Sequence, residues 1–328
     1  MSKPLLPKDF ATSQEVRWCP GCGDYAILKA MQKFLAETGC RKETTVFVSG
    51  IGCSSRFPYY VDTYGFHTIH GRAPAVATGL KLANPDLDVW VVTGDGDGLS
   101  IGGNHLLHAL RRNVGIKVLL FNNEIYGLTK GQYSPTSRVG TRSPSSPAGS
   151  LDRPLSAGAF ALGAGATFLA RAIDTDKQGL AEVLAAAQAH EGSAFIEIFQ
   201  NCIVYNDEVF AAFTDKARAP QHQLRLRQGE PLVFGAANEQ GLALDSHNLC
   251  LEVIDANREP ERVLRHDAGN KLLAQLLVDL QDPVALGVLR STSGKSFEHA
   301  YYESLPGNFR RSASINEALR NTNTWIVK

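Results

Sequence analysis

The stretch GDGDGLSIGGNHLLHALRRNVGIKVLLFNNEIYGLTKG, residues 94–131, limits the fold more than any other part of the chain. It follows a short β-branched run at 89–93 that reads as a buried strand because glycines close it. A helix-like segment around 105–112 comes next, and a second apolar run at 116–121 ends on the paired amides Asn122 and Asn123. Two strands bridged by one helix call for a parallel pair. Both strands then present oxygen-bearing side chains at their carboxyl ends, the edge where doubly wound α/β sheets bind ligands.

The residues at that edge suit a divalent ion holding a phosphate. Asp95 offers a hard carboxylate oxygen, Asn123 an amide oxygen and Ile125 a backbone carbonyl. Mg²⁺ prefers such a sparse protein set, completed by phosphate oxygens. Gly94, Gly96 and Gly98 let backbone approach a diphosphate closely. A ligand-free glycine turn would not need the second asparagine pair. A calcium loop fits poorly, because Leu99 stands where its third ligand belongs.

GDG followed after 25 residues by NN is the signature of thiamine diphosphate enzymes. The extended form here, GDGD…NNEIYGLTKGQ, resembles the β subunit of the 2-oxoacid:ferredoxin oxidoreductases. The resemblance covers about residues 15–210. It implies an α/β fold, a doubly wound and mostly parallel sheet of the diphosphate-binding type, with a C-terminal extension.

The rest of the chain is consistent with that expectation. Strand-like runs at 44–48, 168–170 and 193–199 alternate with helical patterns at 25–38, 75–82 and 179–190. An aromatic patch covers 59–66, and Ser, Thr, Pro and Gly crowd 134–153, a loop long enough to be functional or mobile. Past 210 the character changes: 221–227 and 240–248 look loop-like, 249–254 reads as a strand and 271–280 as an amphipathic helix. The expected division is a cofactor-binding domain at 1–214 and an extension at 215–328, packed on the core or on a partner.

A formal net charge of zero gives no electrostatic footprint for nucleic acid. No apolar run approaches the roughly 20 residues of a membrane helix, and MSKPLLPKDF lacks an apolar leader core. A cytoplasmic protein is expected.

In that compartment, clustered cysteines mean metal or redox chemistry more often than disulfides. Cys19 and Cys22 form a CxxC, Cys53 follows the first core strand and Cys202 the last. A thioredoxin-like dithiol should follow a strand, whereas this one follows a proline-bearing arm. Structural zinc usually takes two tight pairs, and here single cysteines are separated by 30 and 148 intervening residues. A [4Fe–4S] cluster on four thiolates is the third reading. The resemblance favours it, since CPGCGD, IGCSSR and a late cysteine after a strand are where the family binds its cluster.

The resemblance also implies roles. Asp95, Asn123 and the Ile125 carbonyl would hold Mg²⁺; Gly96, Asp97, Gly127 and Leu128 would line the diphosphate. Ile51, Gly52, Cys53 and Ser54 would set cofactor and cluster side by side, with His70 a further cofactor contact. Arg56 and Lys130 are the candidate cations for a 2-oxoacid carboxylate, and two of them suit 2-oxoglutarate or a broad substrate range. The implied reaction is CoA-dependent oxidative decarboxylation of a 2-oxoacid to acyl-CoA and CO₂, or its reverse, with electrons leaving to ferredoxin. Pyruvate or branched-chain 2-oxoacids are alternative substrates, and a non-redox thiamine decarboxylase is an alternative class. The glutamate that activates the aminopyrimidine ring has no place in this single α/β unit. An α subunit is therefore expected to supply it, in a heterodimer or a dimer of heterodimers.

Overall fold

The computed structural model describes residues 5–306, 314–320 and 325. Its centre is an eight-stranded sheet. The first half contributes β1 (Thr45–Ser49), β2 (Tyr64–His67), β3 (Asp88–Gly94) and β4 (Ile116–Asn122). A two-stranded hairpin follows, β5 (Ile125–Tyr126) and β6 (Gln132–Tyr133), and then β7 (Phe168–Ile173) and β8 (Ala194–Phe199). The later chain supplies β9 (Gln223–Arg225), β10 (Val233–Phe234), β11 (Gln240–Asp245), β12 (Cys250–Asp255) and β13 (Val284–Ser291). Strand order in the main sheet is β2-β1-β3-β4-β8-β7-β13-β9, and β10-β11-β12 form a separate antiparallel sheet. Every pair in the main sheet is parallel except β7 with β13. The mostly parallel, doubly wound architecture is as expected.

Helices cover both faces, as parallel strands require. They are α1 (Asp24–Glu37), α2 (Ala73–Ala83), α3 (Gly103–Arg111), α4 (Ala157–Gly163), α5 (Lys177–Ala189), the single turns α6 (Ala211–Thr214) and α7 (Ala219–His222), and α8 (Lys271–Asp279). Side chains alternate along each strand, so Val89 and Val91 join the core under α2, α3, α4 and α8. Trp90 and Val92 join the opposite core under α1 and α5. Both sets are buried, which explains the unbroken apolar runs. Each fully buried Leu, Val or Phe contributes roughly 1.5–3 kcal/mol.

Three readings of the sequence need correction. The aromatic patch contains a strand, β2, whose side chains all stay exposed because it is the sheet's edge. The loop-like segments after 210 contain β9 and β11. β9 takes its place from pairing with β13, far along the chain, and β11 from pairing with β10 and β12. Three residues of β9 carry too little pattern to announce a strand locally. The chain after 214 thus sends two strands into the main sheet. Among the described residues no helix is long and apolar enough to cross a membrane.

Register decides where the site lies. Gly94 pairs with Phe121 and Asn122 with Phe199, so β3, β4 and β8 end together. Ser49 pairs with Val92, which brings the loop after β1 to the same edge. Asp95, Asn123, Gln200 and the Cys53 loop converge without any one of them reaching far.

Candidate functional site

One cleft at this edge gathers Ile51, Gly52, Cys53, Ser54, His70, Asp95, Gly96, Asp97, Asn123, Ile125, Gly127 and Leu128. The candidate cofactor and magnesium residues therefore meet in one place. Gly96 is obligatory there: a Cβ would stand 2.1 Å from the Tyr126 ring, whose hydroxyl donates to the Gly96 carbonyl at 3.0 Å.

Asp95 is 2% exposed, and burial pushes its carboxyl above the usual range. Opposing that shift, Ser134 and Thr136 donate their hydroxyls to Oδ2 at 2.6 and 2.7 Å. A buried carboxylate held by hydroxyls, with little neighbouring positive charge, suits a cation ligand. The two asparagines have separated duties. Asn122 is buried and donates to Glu197 at 2.8 Å, while Asn123 faces the cleft and donates to Gln200 at 2.8 Å.

Asp97 lines the cleft and also ties its loops together. Its carboxylate accepts from the Ile51 amide (3.0 Å), the Gly71 amide (2.7 Å) and the Thr93 hydroxyl (2.6 Å), and it meets His70 Nδ1 at 2.7 Å. It braces the loops after β1 and β2 against the start of the π-helical turn Asp97–Ile101. π-turns of this kind recur at functional sites.

The thiols gather beside the cleft, and Cys53 lines it. A Cβ built on Gly127 would lie in ordinary contact with Cys202 Sγ at 3.5 Å and Cys53 Sγ at 3.6 Å, so both thiols face this turn. Cys22 accepts from Gln200 Nε2 at 3.3 Å, and the Cys22 amide donates to the Cys19 carbonyl at 3.0 Å. Trp18 Nε1 donates to the Cys53 carbonyl at 2.7 Å. Burial, then the charge of Asp24, pushes the Cys53 thiol up to about 12, and the same causes raise Cys22 further. Among the described residues no strand precedes the Cys19–Cys22 pair, which leads straight into α1, so the strand that a thioredoxin-like dithiol should follow is missing. Among the described residues no three His, Cys, Asp or Glu side chains form a group that could hold a metal ion. The soft donor set nonetheless fits a thiolate-bound centre in kind, and the oxygen set fits Mg²⁺.

Arg56 lines an adjoining cleft that shares Ile51, Gly52 and Leu128 with the first, and its Nε donates to Tyr60 Oη at 2.9 Å. Lys130 lines neither cleft; it is exposed, with φ of 74° and its amide on the Gly127 carbonyl.

Residues 50–198 match a family model described as "Thiamine pyrophosphate enzyme, C-terminal TPP binding domain". The chain is 50% identical over 336 residues to 2-oxoglutarate oxidoreductase subunit KorB of Mycobacterium tuberculosis, covering 99% of this chain and 89% of that one. It is 51% identical over 196 residues to the β subunit of 2-oxoacid:ferredoxin oxidoreductase 1 of Aeropyrum pernix, 60% of this chain and 62% of the relative. The chain belongs to the family of 2-oxoacid:ferredoxin oxidoreductase β subunits. A solved family structure agrees: 2-oxoglutarate:ferredoxin oxidoreductase from Magnetococcus marinus, with 2-oxoglutarate, coenzyme A and succinyl-CoA bound, superimposes with a TM-score of 0.75 at 35% identity. That match covers 91% of this chain and 89% of the other.

Against this family frame, reading the sequence missed Ser134, Thr136, Tyr126, Gln200 and Asp24. Ser134 and Thr136 lie in the Ser/Pro-rich loop, and their buried hydroxyls sit 39 and 41 residues from the carboxylate they serve. The only local signal was that loop's length.

Proposed function

We propose that this chain, with a separate α subunit, carries out CoA-dependent oxidative decarboxylation of 2-oxoglutarate, or the reverse carboxylation, exchanging electrons with ferredoxin through a [4Fe–4S] cluster. One observation carries the reading: Cys53 and Gly127 line the same cleft as Asp95 and Asn123, and Gly127 lies against the Cys53 and Cys202 thiols. Electron-accepting sulfur ligands and a metal–diphosphate cradle lie within a few residues' reach. A non-redox thiamine enzyme has no use for that arrangement.

Thiamine diphosphate, when bound, supplies the electron sink that lets a 2-oxoacid lose its carboxylate. The chain's own residues do the rest. Asp95, Asn123 and the Ile125 carbonyl hold Mg²⁺, with Ser134 and Thr136 fixing the Asp95 rotamer. Gly96, Asp97, Gly127 and Leu128 admit the diphosphate against backbone, and Ile51 to Ser54 with His70 close over it. Cys19, Cys22, Cys53 and Cys202 hold the cluster. Arg56, in the adjoining cleft, takes the substrate carboxylate; Lys130 serves only if its exposed side chain folds inward. The α subunit contributes the aminopyrimidine glutamate. Residues 1–214 carry the cofactors, and β9 and β13, beyond residue 214, complete the sheet away from them, in a cytoplasmic enzyme.

The test is turnover by the co-purified αβ complex with 2-oxoglutarate, pyruvate and branched 2-oxoacids, using CoA and ferredoxin. Highest kcat/KM with 2-oxoglutarate, alongside iron and thiamine diphosphate in the complex, is expected. Turnover by an iron-free complex, or by this chain alone, would sink the proposal.

A further inference from the structure

Gln200 is 1% exposed and lines the cleft, yet no role above falls to it. Register places it there. Asn122 pairs with Phe199, and the Gln200 amide donates to the Asn122 carbonyl at 2.9 Å, so Gln200 stands one step past β8 as Asn123 stands one step past β4. Its side chain is satisfied at both ends. Nε2 donates to the Asn201 carbonyl at 2.6 Å and to Cys22 Sγ at 3.3 Å, while Oε1 accepts from Asn123 Nδ2 at 2.8 Å. A buried amide with its partners in place is held in one orientation.

These contacts fix which way two amides point. A carbonyl oxygen only accepts, so the Gln200 NH₂ faces Asn201, and the Cys22 sulfur beside it accepts from the same group. Gln200 Oε1 is left towards Asn123, which answers with its own NH₂. Asn123 Oδ1 therefore points away from Gln200, where the Ile125 amide donates to it at 3.2 Å, the long end of the usual range. Asn206 Nδ2 donates to the Asn123 carbonyl at 2.9 Å and holds the main chain, so rotation of the side-chain amide is the freedom left to control. Turned by half a revolution, Asn123 would offer N–H donors where a cation needs an oxygen.

We infer that Gln200 is a positioning residue for Asn123: clamped between the Asn201 carbonyl and Cys22, it keeps the asparagine amide oxygen free for a divalent cation. The inference rests on the reading of Asp95, Asn123 and Ile125 as the Mg²⁺ set. Without Gln200, the Ile125 amide is the remaining partner of the Asn123 side chain among the described residues. The ligating orientation is then only partly populated, and apparent cation affinity falls by that fraction. Gln200 touches neither the cation nor the substrate on this account; it acts through Asn123.

The experiment measures the Mg²⁺ concentration that half-saturates thiamine diphosphate binding to the αβ complex, read by quenching of intrinsic fluorescence. Gln200→Met and Gln200→Leu both remove the acceptor from Asn123 while filling the buried space with different shapes. The half-saturating concentration is expected to rise about tenfold or more in both, as for other partners one step behind a metal ligand. Asn123→Asp is the control, because a carboxylate offers oxygen whichever way it turns. In that background the Gln200 substitutions should change the Mg²⁺ requirement little. An unchanged requirement in either Gln200 variant would overturn the inference, as would an equal rise with and without Asn123→Asp, which marks a packing role. Wild-type complex that binds thiamine diphosphate equally well without a divalent ion would instead overturn the Mg²⁺ reading on which the inference stands.

Discussion

His70 Nδ1 and the 2%-exposed carboxylate of Asp97 lie 2.7 Å apart, and that contact joins the loop after β2 to the glycine turn after β3. The same Asp97 oxygen takes the Ile51 and Gly71 amides, so one carboxylate holds three sides of the cleft.

Replacing Asp97 by Ala should loosen all three sides at once. Each buried donor left without a partner costs about 1–3 kcal/mol. A lower denaturant midpoint is expected together with weaker thiamine diphosphate binding, measured by quenching of intrinsic fluorescence. Asp97→Asn, which keeps an acceptor oxygen, should lose less on both counts. Equal behaviour of the two variants would deny the brace.

Thr136→Val removes a hydroxyl from Asp95 without changing the shape of the loop. Partners one step behind a metal ligand typically govern affinity by about 10–100-fold. The half-saturating Mg²⁺ concentration should rise about tenfold or more, with kcat recovering at high Mg²⁺, and Thr136→Ser should restore it. An unchanged Mg²⁺ requirement in Thr136→Val would remove this residue from the site.

Gly96→Ala drives a methyl group into the Tyr126 ring. Overpacking of that kind costs about 1–3 kcal/mol, and here it also displaces backbone that lines the cleft. Retention of bound thiamine diphosphate after gel filtration should fall sharply. Full retention would mean that the Tyr126 ring yields without moving the turn.

Acid should destabilise the chain through His266. Burial lowers its pKa from the ordinary 6.5; one ring nitrogen lies 2.8 Å from the Val288 carbonyl and the other has no partner. Below 6.5 the unfolded chain binds the proton more readily than the folded one, so stability falls as pH drops and is regained above 6.5. Denaturant midpoints taken between pH 8 and 5 should show this slope, and His266→Gln should flatten it. His190, whose pKa burial also lowers, adds to the slope and survives in that variant. Identical slopes in both proteins would exclude His266.

Sequence by itself determined the parts of this protein that are local. Apolar runs at 89–93 and 116–121 are buried on both faces, so pattern and length announce parallel strands without help from distant residues. GDG and NN lie at the ends of adjacent strands, and a crossover helix fixes their juxtaposition almost as soon as the strands are recognised. Cys19, Cys22, Cys53 and Cys202 stood out through the CxxC, the loop after the first core strand and the end of the last one, and the family resemblance grouped them. Only the tertiary structure decided which polar residue serves which neighbour. Thr136 reaches Asp95 because the 134–153 loop folds back over the sheet edge, and serine and threonine in a loop carry no periodicity that would say so. β9 is a strand because β13 lies beside it. Asp97 is a brace as well as a cleft-lining residue, because two loops, after β1 and after β2, and strand β3 bring their donors to it. These are pairings between residues far apart in the chain, whose partners are set by register and packing and leave no mark on their immediate neighbours.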